Sequence, residues 1–193
     1  EQRIIEAWLT SPKFSQKLKF IDCNGIKSQF TYCGKFTKTD WYPCPGGWSG
    51  LMFTFANNSA YPTKIFSNEY EVSDGTTFTV KCESDELEEY IYPNITIVSS
   101  DTAAFELINN TDNGNSMKIS AKKKLPMYFD CKNCIPKDGT TSGIFTYKDL
   151  GWSDIGNIYW LRLLPGDNDL KVNGNGKVKI EFEYPCKKVG DWL

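Results

Sequence analysis

The pattern of apolar and polar positions shows helical periodicity only once. Ile4, Ile5, Trp8 and Leu9 fall at i, i+1, i+4 and i+5, one stripe of a helix over residues 2–9. Ser11-Pro12 stops it, because proline cannot continue a helix. From there the period shortens to two. Residues 17–22 set Leu18 and Phe20 against Lys17 and Lys19, and residues 29–36 alternate through Phe30 and Tyr32. Residues 50–56 are a nearly continuous apolar run, as expected of a strand covered on both faces. The Pro/Gly cluster at 41–47 predicts a turn between these last two strands.

The character changes over 57–93. Residues 57–62 are loop-like, 83–89 (ESDELEE) are acidic, and 76–82 form a strand with Phe78 and Val80 on one face. A second strand series follows Pro93, at 94–99, 104–109, 116–121 and 125–130, before a longer loop over 131–147. Residues 159–164 predict an apolar strand, 165–168 a turn and 169–172 a short strand. Asn173-Gly174-Asn175-Gly176 predicts a hairpin, since Asn and Gly both accept positive φ. Residues 177–184 then alternate Val178, Ile180, Phe182, Tyr184 with Lys177, Lys179, Glu181, Glu183, the signature of a half-buried antiparallel strand. Strands at intervals of about 8–12 residues indicate a mostly β chain of antiparallel sandwich modules with one short N-terminal helix. The expected division is a first module over 1–70, a linker or connecting strand over 71–88 and a complete sandwich over 89–193.

Composition narrows the class. The 193 residues carry a formal charge of −2 and 15% aromatics, which excludes disorder, a collagen-like rod and a coiled coil. There is no apolar run of ~18 residues to span a membrane, and the near-neutral charge gives no footprint for nucleic acid or anionic lipid. Histidine is absent, which removes Ser-His and Cys-His pairs and HExxH zinc sites. The first residue is Glu and the helix begins at once, which leaves open a fragment or a processed product, such as a chain freed of a signal peptide. Seven cysteines are an odd number: one is left over in a secreted protein, whereas all can be thiols in a reducing cytoplasm. Asn57, Asn94 and Asn109 fit the glycosylation pattern, which arises easily by chance in a chain rich in Asn and Thr.

Candidate chemistry is sparse. Cys131-Lys132-Asn133-Cys134 has CxxC spacing but enters a loop and has no second half-site, so it reads as loop cysteines rather than a metal or redox centre. Glu181 and Glu183 alternate with lysines and read as a solvated face rather than a glycosidase pair. Ser120 and Lys123 match SxxK by count without the helix that motif needs. Trp160 reads as a core position, and Trp152, in a loop, is the candidate platform for stacking on a sugar. No catalytic residue, metal ligand or cofactor is expected.

The run Trp160-Leu161-Arg162-Leu163-Leu164-Pro165-Gly166-Asp167-Asn168, followed by the turn and the alternating last strand, resembles the C-terminus of siphophage distal tail proteins. Arg3-Ile4-Ile5-Glu6-Ala7-Trp8-Leu9, then Lys17-Leu18-Lys19-Phe20 and Gly34-Lys35-Phe36, resemble the ring-forming domain of that family, and Phe53 to Tyr61 resembles its closing segment. Glu89-Tyr90-Ile91-Tyr92-Pro93 resembles the lead-in to its second domain. The resemblance implies a homo-oligomeric ring, typically a hexamer, at the tip of the tail of a long-tailed phage. The first domain would build the ring, and a galectin-like sandwich would project outward; because that family carries strands ahead of the helix, the resemblance also implies that a preceding part of the first domain is missing here. Its implied partners are the tail tube protein, the tail-tip hub protein and, in some phages, a receptor-binding protein. Its implied place is the virion, after assembly in the host cytoplasm, with no catalysis. A secreted or surface carbohydrate-binding β-sandwich is the alternative, favoured by the aromatics and the sequons.

Overall fold

The computed structural model describes residues 2–43, 45–46, 49–100, 104–119, 126–152 and 158–187. Among the described residues the protein is mostly β, with antiparallel sheets, one short helix and no closed barrel, as the periodicity predicts. It divides into two compact units, the first running to Lys64 and joined by Lys187, the second spanning Ile65–Cys186.

The first unit opens with α1 (Gln2–Thr10), whose end is satisfied locally: Thr10 Oγ1 donates to the Glu6 carbonyl at 2.7 Å and Ser11 N–H to the Ala7 carbonyl at 2.9 Å. Three strands follow, β1 (Gln16–Leu18), β2 (Tyr32–Pro43) and β3 (Ser49–Asn57), in the order β1-β2-β3. β2 runs through Trp41 and Tyr42, which the Pro/Gly cluster assigned to a turn; Pro43 ends it, at a position where a missing N–H is tolerated. The run at 50–56 is not covered on both faces. Leu51, Phe53 and Phe55 are half-buried, while Met52, Thr54 and Ala56 are exposed. Phe36 explains the half that is covered, lying edge-on to Phe53 and Phe55 at 5.8 and 5.2 Å between ring centroids.

The second unit is a sandwich. One sheet has the order β10-β9-β6-β12-β4, built from β4 (Thr63–Val72), β6 (Asn94–Ser99), β9 (Met127–Asp130), β10 (Ile135–Asp138) and β12 (Gly176–Pro185). The other has the order β5-β11-β7-β8, built from β5 (Thr77–Cys82), β7 (Phe105–Asn109), β8 (Asn115–Ile119) and β11 (Gly166–Asn173). Alternate residues of both sheets are buried: Ile95, Ile97, Phe129, Val178 and Ile180 from the first, Val80, Phe105, Leu107, Ile119, Leu170 and Val172 from the second. Each such side chain contributes about 1.5–3 kcal/mol, so this core holds the unit together.

Several sequence expectations change here. Residues 173–176 do not close a hairpin, because β11 pairs with β5 and β7 while β12 pairs with β6. The segment instead carries the chain from one sheet to the other. Asp74 fastens it, accepting from Gly174 N–H at 3.0 Å and donating its own N–H to Asn175 Oδ1 at 3.1 Å. Gly174 and Gly176 stand at φ 129° and 151°, and a Cβ on Gly176 would lie 2.1 Å from the Val98 carbonyl, so glycine is needed here for close approach. Residues 159–164 are not a strand either. Leu161 and Leu163 are buried, but the segment's ladder contact is a single bridge, Ile91↔Leu163, and Leu164 N–H donates to Asn168 Oδ1. Two strands were not expected: β4, and β10 inside the presumed loop over 131–147. The SxxK match at Ser120 and Lys123 lies outside the described residues.

Candidate assembly surface and side-chain networks

Among the described residues, the buried apolar side chains other than Pro62 fall between Val72 and Cys186. The first unit therefore displays its hydrophobic residues rather than enclosing them. On α1, Ile4 and Trp8 are each 73% exposed and Ile5 44%, while Leu9 is half-buried, so most of the stripe that predicted the helix is exposed. Trp41 and Tyr42 on β2 and Met52 on β3 are also exposed. Trp41 keeps one anchor, its Nε1–H donating to Glu6 Oε1 at 3.2 Å. β3 is an edge strand of nine residues, SGLMFTFAN, with no charge and no proline. Proteins normally blunt such edges with lysine, proline or bulges, because unpaired backbone groups recruit another strand.

The second unit carries its polar chemistry inward. Arg162, from the segment before β11, donates to the Asp112 carboxylate through Nε at 2.8 Å and Nη2 at 3.1 Å, and Tyr159 O–H donates to it at 2.7 Å. Asp112 is 3% exposed, and the guanidinium beside it holds its carboxyl below the usual carboxylate range. Burial, then the bond to Asp112, pushes the Tyr159 hydroxyl up. The outer face of the guanidinium stacks on Tyr90, 4.0 Å from the ring centroid. Asn168 is fully buried and braces the bend before β11, its amide donating to the Leu164 and Gly166 carbonyls at 2.7 and 3.2 Å. These residues position backbone and make no nucleophile or acid–base pair. Asp112 carries no local signal in the sequence, since its partner Arg162 is 50 residues away.

Trp152 and Trp160 come together, edge to face at 5.4 Å, with Phe129 6.4 Å from each and Tyr147 5.7 Å from Trp152. Both indoles are half-buried, so Trp160 is less enclosed than expected of a core residue. Trp152 Nε1–H donates to the Lys118 carbonyl on β8, the edge of the four-stranded sheet. A sugar at Trp152 would have only the remaining exposed part of that ring to stack on. Asn109 is fully buried, its amide donating to the Arg162 carbonyl at 2.9 Å, which closes that sequon to modification in the fold. Glu181 is engaged by Lys179 at 2.8 Å and Ser67 at 3.1 Å. Among the described residues, no group of three or more Cys, Asp or Glu side chains is placed to hold a metal ion.

Residues 60–184 match the family described as phage tail C-terminal domain, and the chain belongs to that family. The fold is also similar to the crystal structure of the SPP1 Dit (gp 19.1) protein, described as a paradigm of the hub adsorption apparatus in phages infecting Gram-positive bacteria. The TM-score is 0.64 at 14% identity, over 95% of this chain and 71% of that one. Comparison with curated proteins gives no match. Family and fold together bear out the resemblance to siphophage distal tail proteins, and the protein is a structural component of a phage tail.

Proposed function

We propose that the protein forms a closed ring, typically of six copies, joining the tail tube to the tail-tip hub of a long-tailed phage. The first unit builds the ring and the second, a galectin-like sandwich, projects from it as a platform for neighbouring tail proteins, including a receptor-binding protein. The copies come together in the host cytoplasm, and the protein works by contact rather than catalysis.

The observation that carries this reading is the first unit's exposed apolar set together with the uncharged free edge of β3. A ring contact is heterologous and needs two unlike patches on one chain. An open strand edge and an outward helix stripe are two such patches. The test is native mass spectrometry and negative-stain imaging of wild type beside Trp8→Glu and Met52→Lys. Both residues are exposed in the protomer, so each variant keeps the wild-type circular dichroism. Wild type should give closed rings at a multiple of the 22.0 kDa protomer, and the variants smaller species. Monomeric wild type at micromolar concentration, or variants that assemble unchanged, would count against the ring.

A further inference from the structure

The CxxC segment has a specific geometry. The β9–β10 ladder ends at the pair Asp130↔Ile135, so the hairpin loop between them begins with Cys131 and ends with Cys134. A turn of this size holds its first and fourth Cα atoms within ~7 Å, overlapping the ~4.4–6.8 Å that a disulfide spans. Both residues are thiols, and Cys134 Sγ already lies 3.8 Å from the Cys131 carbonyl oxygen. The loop is pinned in this shape by Asp130, whose carboxylate accepts from Asn133 N–H at 3.0 Å and Nδ2 at 2.8 Å. Cys134 stands at φ 56°, the left-handed conformation that ends such loops. The two sulfurs differ in access: Cys131 is buried, while Cys134 is exposed and lines an open groove with Ile135, Ile144 and Tyr147.

We infer that Cys131 and Cys134 form a redox clasp, an intramolecular disulfide made by exchange with a small-molecule disulfide of the glutathione class. In the first step the Cys134 thiolate attacks one sulfur of oxidised glutathione, giving a mixed disulfide and releasing one glutathione thiolate. In the second, the Cys131 thiolate attacks Cys134 Sγ, closing the loop and releasing the second glutathione thiolate. Two cysteine thiols are oxidised, one glutathione disulfide is reduced to two glutathiones, and the two cysteine protons go to the released thiolates. The exposed sulfur is the entry point because the reagent can reach it. The buried one resolves; burial pushes its thiol up, which makes this second attack the slow step, and Cys131 Sγ must turn toward Cys134 from the Leu161 N–H that donates to it. Oxidation would lock the hairpin tip and fix one wall of the groove.

The test treats the folded protein with oxidised glutathione, blocks residual thiols and maps each cysteine by peptide mass spectrometry, for wild type, Cys131→Ser and Cys134→Ser. Wild type should lose two hydrogens in a Cys131–Cys134 cross-linked peptide with no glutathione retained there. Cys131→Ser should retain one glutathione on Cys134 for lack of a resolving thiol. Cys134→Ser, altered only at an exposed position, should leave Cys131 unmodified. Wild type that keeps glutathione on Cys134, or leaves both thiols free while exposed Cys23 and Cys33 react, would overturn the clasp. So would a Cys134→Ser protein that is glutathionylated on Cys131.

Discussion

The Arg162–Asp112 pair offers the sharpest energetic test of the second unit. Replacing Arg162 by Gln removes two charged hydrogen bonds, at 2.8 and 3.1 Å, from a carboxylate that is 3% exposed, leaving it the neutral donors Tyr159 and Asn115. Bonds to charged groups contribute ~1.5–3 kcal/mol each, and breaking a buried pair costs ~3–5 kcal/mol. The Arg162 side chain is 30% exposed, so water recovers part of that, and a loss of about 2–3 kcal/mol is expected. For a unit of this size that lowers Tm by roughly 10 °C, read by differential scanning calorimetry. A double-mutant cycle with Asp112→Asn should give a coupling of at least ~1 kcal/mol. The pH dependence has a definite sign. Asp112 is held below its ordinary value of 3.8 in the folded protein, so its contribution is complete above that value and is lost as pH falls through the lower folded value. The gap between wild type and Asp112→Asn should therefore narrow below about pH 4. An Arg162→Gln protein within ~0.5 kcal/mol of wild type, or a gap that does not respond to acid, would refute the reasoning.

Other consequences are more local. Asn168→Ala strips the brace from the bend before β11 and leaves the Leu164 and Gly166 carbonyls without their amide donor, costing about 2–3 kcal/mol by denaturant titration. Gly176→Ala drives a Cβ to 2.1 Å from the Val98 carbonyl and should weaken the β6–β12 pairing, seen as faster amide exchange in both strands. Trp152→Phe keeps the aromatic cluster but loses the bond to the Lys118 carbonyl, for a loss of about 1 kcal/mol. If Trp152 instead binds sugar, a glycan array should give a hit that Trp152→Ala abolishes.

How much of this was legible depended on where each element's partners lie. β12 was read nearly to its ends because one face is buried and the other carries charge, so alternation survives in the sequence. β4 carries no periodic signal although it is ten residues long. It is an edge strand, its middle reads Ser67-Asn68-Glu69, and solvent on its outer side removes the contrast that periodicity needs. Residues 173–176 carry every local mark of a hairpin. Their inter-sheet role is fixed by Asp74 and Val98, which no local pattern contains. The α1 stripe was visible, but its spacing cannot tell a core face from a face left open. Arg162 and Asn168 stood out within a recognisable run. Their roles came only with the fold, since Asp112 lies 50 residues upstream of Arg162 and Asn168 closes back on its own bend.

The claim that this is a tail-tip ring component is tested most directly on the virion itself. Antibodies raised against the second unit and imaged with gold on intact phage should label the distal end of the tail, at the junction of tube and tip. Label distributed along the tube, confined to the head, or absent from particles that contain the protein would contradict it.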